Sequence, residues 1–166
     1  MTDRTLQLQK IIEQNPGIQF RQIMRSSGLK NGVLSHYLGK LEKSGIVKVI
    51  RGPRQARFYP PKITEDESIV IKALRKQTPR DLLLALVEND ELEFSQLVKA
   101  VEKSPSTVSL YLSQIVEDGL VEIRIVELKK IYRIKARDLI DKLIEDYRPS
   151  LLEKPTSGFE DIINSF

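Results

Sequence analysis

The 166-residue sequence contains no cysteine, no tryptophan and a single histidine, His36. Without cysteine there is no disulfide, no thiolate metal ligand and no thiol nucleophile. One histidine leaves almost nothing for a metal centre or for general acid–base work. No carboxylate pair, glycine-rich phosphate loop or nucleophile–base constellation stands in its place, so no catalytic residue, no metal ligand and no cofactor is expected. Apolar runs fall short of the roughly 18–20 residues of a membrane span. The opening MTDRTLQLQK lacks the apolar stretch of a secretory signal. A soluble, cytoplasmic, non-enzymatic chain with no membrane partner is the expectation.

Charge is present but unevenly distributed. Residues 1–62 hold 12 Lys/Arg against 3 Asp/Glu, a net of +9, whereas residues 63–166 hold 15 against 20, a net of −5. A basic half joined to an acidic half implies a polyanionic partner for the first half only. Double-stranded DNA, and hence association with the nucleoid, fits that pattern.

The chain also matches itself at an offset of 74 residues, without a gap, from Asn15–Tyr59 onto Asn89–Arg133. Identities include Asn15/Asn89, Gln22/Gln96, Tyr37/Tyr111, Gly45/Gly119 and Val47/Val121, and apolar positions such as Ile23/Leu97 and Leu41/Ile115 are kept. A period this long is no solenoid unit but a small domain built twice.

Within the first copy, Leu8, Ile11 and Ile12 lie at helical spacing before Asn15-Pro16-Gly17. Phe20, Ile23 and Met24 predict a second short helix ending at Ser26-Ser27-Gly28, and a third runs from Lys30 or Asn31 to Ser44-Gly45. Ile46–Ile50 and Arg57–Tyr59 read as strands around an arginine-rich turn. The second copy repeats the order. Thr78-Pro79 and Ser104-Pro105 are read as N-caps followed by proline at the first helical position. The fold expected is mainly α with small β-hairpin wings (α+β): two tandem winged helix-turn-helix domains joined by a helix, plus a C-terminal helix. The boundaries are 1–62, a helical linker over 63–77 capped by Thr64, 78–136, and a helix and tail over 137–166.

The run from Ser35 to Val47, SHYLGKLEKSGIV, resembles the recognition helix and following strand of ArsR/MarR-type regulators. Ser104-Pro105-Ser106-Thr107-Val108-Ser109 resembles the opening of the same helix. A tandem pair of this kind is similar to predicted archaeal regulators with two winged-helix modules. That resemblance implies a sequence-specific transcription regulator. The metal-sensing role of some ArsR members is not implied, because their cysteines are missing.

In such a module the third helix enters the major groove and its exposed early residues meet base edges. Asn31 suits adenine, Val33 a thymine methyl, and Ser35 either base or phosphate, with His36 a polar neighbour on the same face. Lys30, Lys40 and Lys43 are placed for phosphate. Arg51, Arg54 and Arg57 arm the wing, where a hairpin arginine can enter a narrow minor groove. Arg21 and Arg25 on the second helix would hold the backbone on either side.

In the second copy the equivalent face carries Ser106, Thr107, Ser109, Leu110, Ser113 and Gln114, with no positive charge. Its expected role is contact with protein, either itself or a partner. The stripe Leu139, Ile140, Leu143, Ile144 and Tyr147 in the C-terminal helix is expected to dimerise the chain. Covering the second module's own core is the alternative. The tail residues Phe159, Ile162, Ile163 and Phe166 form one docking turn or stay disordered. Set against the DNA-binding regulator is a tandem winged-helix interaction scaffold that binds no DNA.

Overall fold

In the computed structural model, residues 3–152 are described. The chain divides into two compact units, Met1–Ser68 and Ile69–Phe166.

The first unit runs α1 (Asp3–Gln14), β1 (Ile18–Gln19), α2 (Phe20–Ser27), α3 (Asn31–Lys43), β2 (Lys48–Arg51) and β3 (Ala56–Tyr59). Its antiparallel sheet has the order β1-β3-β2, with Ile18 opposite Phe58 and Val49 opposite Phe58 on the other side. Leu8, Ile12, Ile23, Leu34, Leu38 and Leu41, at the helical spacing seen in the sequence, converge on one core with Val47 and Phe58. Burial of that apolar stripe orients α3 and leaves its opposite face to solvent.

The second unit repeats this at the same 74-residue offset: α5 (Gln77–Glu88), β4 (Leu92–Glu93), α6 (Phe94–Val101), α7 (Pro105–Glu117), β5 (Val121–Val126) and β6 (Lys129–Ile134). Its sheet order, β4-β6-β5, matches the first. Helix α4 (Glu65–Leu74) spans the division between units, and α8 (Arg137–Leu151) closes the second.

The identities in the repeat have physical reasons. Asn15 Nδ2 donates to the Ile11 carbonyl at 2.9 Å, and Asn89 Nδ2 to Ala85 at 3.0 Å, closing the end of the first helix in each copy. Gln22 Oε1 accepts from the Gln19 N–H at 3.1 Å, and Gln96 Oε1 from the Glu93 N–H at 2.8 Å, which is half of a capping box. Gly45 and Gly119 take φ of +77° and +79°, the left-handed conformation that releases the chain from α3 and α7 into the hairpin.

Several boundaries differ from expectation. The expected wing hairpins are present, and the two-residue strands β1 and β4 add a third strand to each sheet. Ser104 is the N-cap of α7 and accepts from the Thr107 N–H at 3.3 Å. Thr78, by contrast, is already inside α5, whose N-cap is Lys76; Pro79 lies in the first turn, where its missing N–H leaves no bond unmade. Thr64 caps α4 as read: its Oγ1 accepts from the Glu67 N–H at 3.1 Å and Glu67 Oε1 accepts in return at 3.0 Å. Helix α8 continues to Leu151 across a kink at Tyr147, two residues before Pro149.

The stripe on α8 faces inward. Ile140, Leu143 and Ile144 are buried within the single chain, and only Leu139 and Tyr147 keep partial exposure. Arg137 donates to the carbonyls of Val87 and Leu86 at the end of α5, and Arg75 donates to the Ser150 carbonyl at 2.9 Å. Of the five side chains expected to dimerise the chain, Ile140, Leu143 and Ile144 thus pack within their own unit, the arrangement of the alternative in which the helix covers the second module's core. Phe159, Ile162, Ile163 and Phe166 lie outside the described residues.

Candidate nucleic-acid interface

Helix α3 presents Lys30, Asn31, Val33, Ser35, His36, Lys40 and Lys43 to solvent, because Leu34, Leu38 and Leu41 take the inner face. Asn31 and Ser35, one turn apart, join through Ser35 Oγ donating to Asn31 Oδ1 at 3.3 Å. That bond engages the Asn31 carbonyl oxygen and not its amide N–H groups. His36 meets Tyr37 edge-on with ring centroids 5.2 Å apart. The Tyr37 ring also lies 5.8 Å from both the Lys40 ammonium and the Arg4 guanidinium. Arg4 therefore belongs to this basic surface, brought from α1; in the sequence it sits before the repeat begins and carried no signal. Lys30 caps α3 with extended backbone and no side-chain bond, so the first N–H groups of the helix stay open.

The wing arginines divide into three kinds. Arg51 makes a two-pronged ion pair with Glu42, at 2.8 Å for each nitrogen. The same pairing holds the Glu42 carboxyl below its ordinary range and raises the Arg51 guanidinium, mainly through the shared hydrogen bonds. Arg57 turns inward and donates to the Gly17 carbonyl at 2.8 Å, and burial lowers its pKa. Expected on the DNA face, Arg57 stands on the central strand β3, and its guanidinium closes the turn leading into β1. Arg54, at the exposed tip beyond Gly52 and Pro53, forms no ion pair among the described residues. Arg21 and Arg25 are exposed on α2 and likewise unpaired.

The second unit presents a different surface. Its α7 face carries no cation, and Leu110, at the position of His36, is 56% exposed. Four of the basic residues near its wing hold carboxylates: Arg124 with Glu91 at 3.3 Å, Lys129 with Glu93 at 3.6 Å, Arg133 with Glu122, and Arg137 with Asp90 at 3.3 Å, while Lys130 makes no ion pair among the described residues. The open end of α3 has no counterpart either, since Ser104 caps α7.

Two family models agree with this architecture. The family model described as winged helix-turn-helix DNA-binding matches residues 1–48, and that of the bacterial regulatory proteins of the arsR family matches residues 71–122. Each covers one module. HlyU from Vibrio cholerae N16961 is similar over 52% of this chain and 97% of its own, with 26% identity and a TM-score of 0.44. No curated protein matches the chain. The fold is a tandem pair of winged helix-turn-helix modules, the first similar to winged helix-turn-helix DNA-binding proteins and the second to regulators of the arsR family.

Proposed function

We propose that this chain is a sequence-specific regulator of transcription that binds duplex DNA, without catalysis, through its first module. Helix α3 would lie in the major groove with Asn31, Val33, Ser35 and His36 toward base edges. Lys30, Lys40 and Lys43 would meet phosphate, Arg54 would reach the neighbouring minor groove, and Arg21 and Arg25 would hold the backbone. The observation that carries this reading is the contrast in free cations. In the first module most basic side chains around α3 stand exposed and unpaired, whereas most of those on and beside the second wing, Lys130 excepted, are engaged by acids. Since phosphate affinity comes from cations that displace counterions, the first module holds most of the affinity. The second module serves contact with a second copy or a protein partner.

One observation favours a scaffold instead. Leu110 places an apolar side chain on the helix face that reads DNA in other winged helices. Fluorescence anisotropy of the full chain with a random duplex pool at two salt concentrations, followed by sequencing of the bound fraction, separates the readings. Enrichment of a defined site with steep salt dependence is expected. Binding without enrichment would point to a non-specific nucleoid protein, and no binding would leave the scaffold.

A further inference from the structure

The two wings differ at their outer edges. In the first, the edge strand β2 is four residues long and its turn carries Gly52, Pro53 and Arg54, features that discourage strand pairing. In the second, the edge strand β5 is six residues long, and Ile123 is 43% and Ile125 71% exposed. Its turn is the two-residue Glu127-Leu128, both at positive φ, with Leu128 at 99% exposure. Neither proline nor bulge interrupts the edge.

The hairpin fixes which backbone groups are free. Val126 and Lys129 close the two-residue turn, so the even-numbered residues of β5 direct their N–H and C=O groups to β6. The Lys135 N–H donating to the Leu120 carbonyl at 2.9 Å continues that alternation. The N–H and C=O of Val121, Ile123 and Ile125 therefore face outward, beyond the sheet.

We infer that this edge pairs with the β5 edge of a second copy of the chain, antiparallel about a twofold axis at Ile123. The inference rests on reading the second module as a contact module. Charge selects the register. An axis at Glu122 sets that carboxylate against its own copy, and an axis at Arg124 does the same with two guanidinium groups. An axis at Ile125 leaves Arg124 opposite Val126 of the second copy. An axis at Ile123 places each Glu122, which also holds Arg133 of its own chain, opposite the other copy's Arg124, which also holds its own Glu91, in a close, non-hydrogen-bonded pair of opposite charge. It also sets Ile123 against Ile123 and Val121 against Ile125, joining the exposed isoleucines into one apolar stripe across a six-stranded sheet.

Sedimentation equilibrium of the full chain without DNA tests the pairing. A mass of twice 19.0 kDa is expected, with Ile123→Lys weakening association at least tenfold while leaving the thermal midpoint of the fold in place. The chain has no cysteine, so single substitutions read the register. Ile123→Cys should cross-link on oxidation, because the paired Cα atoms lie about 5.5 Å apart. Ile125→Cys should not, its two copies being about 14 Å apart along the strands. A monomeric wild type, a dimer indifferent to Ile123→Lys, or cross-linking at 125 in place of 123 would each overturn the inference. Anisotropy of Ile123→Lys on a single duplex half-site keeps the two readings apart. Loss of the dimer with half-site binding intact supports the pairing and spares the DNA reading. A wild-type dimer that Ile123→Lys dissociates but that binds no duplex supports the pairing and removes the DNA reading.

Discussion

At the level of single side chains, the arginines of the first wing show that formal charge is a poor guide to what a cation touches. Arg54 is free, and replacing it with alanine should weaken binding to all duplex sequences alike and flatten the plot of log affinity against log salt by about one unit. Arg57→Ala should act on stability instead, because the guanidinium bonds the Gly17 carbonyl in a half-buried site. The expected loss is about 1–3 kcal/mol in urea unfolding, with the salt slope unchanged. Glu42→Gln should do the reverse of Arg54→Ala. The Glu42 carboxyl titrates below its ordinary range, so the pair with Arg51 persists at neutral pH and is lost only as pH falls through that lowered value. Removing the charge at neutral pH frees Arg51 for phosphate. Tighter duplex binding and a salt slope steeper by about one unit should follow, read by anisotropy across a salt series.

Among helices and strands, the repeat compares each element with its own twin. Gly28 and Glu102 occupy the same C-cap, at φ of +72° and +55°, and their N–H groups bond the Met24 and Val98 carbonyls at 3.0 and 3.1 Å. Glycine adopts that conformation freely and glutamate does not. Glu102→Gly should therefore stabilise the protein by about 0.5–1 kcal/mol, seen as a raised thermal midpoint. The helices were legible in the sequence because their apolar spacing, caps and stop signals agreed with one another and recurred in both copies. Strands β1 and β4 were not, since two residues carry no periodicity and pair only with the distant strands β3 and β6. The stripe on α8 was visible, but periodicity shows that a face is apolar and not what covers it. Only the packing of Ile140, Leu143 and Ile144 decides that the face turns inward. Likewise the outward face of α3 could be read, whereas the partners of Arg51 and Arg57 arise from tertiary approach between segments up to 40 residues apart.

For the whole molecule, charge and symmetry bear on each other. The basic half holds a net charge of +9 in its first 62 residues, so one chain on one half-site neutralises a limited set of phosphates. A chain that pairs through its second module brings two such surfaces to one duplex, and a twofold protein calls for a twofold site. Selection from random duplexes should recover an inverted repeat whose half-sites lie about one helical turn, roughly 34–36 Å, or a multiple of it, apart. The variant Ile123→Lys, monomeric on this reading, should recover the half-site alone. Its salt slope should be about half that of the wild type, since the number of counterions released falls with the number of phosphates met. Wild type and variant selecting the same inverted repeat with the same slope would place the dimer contact elsewhere than on β5. A wild type that selects only a half-site would mean that one basic module binds DNA while the second faces a different protein.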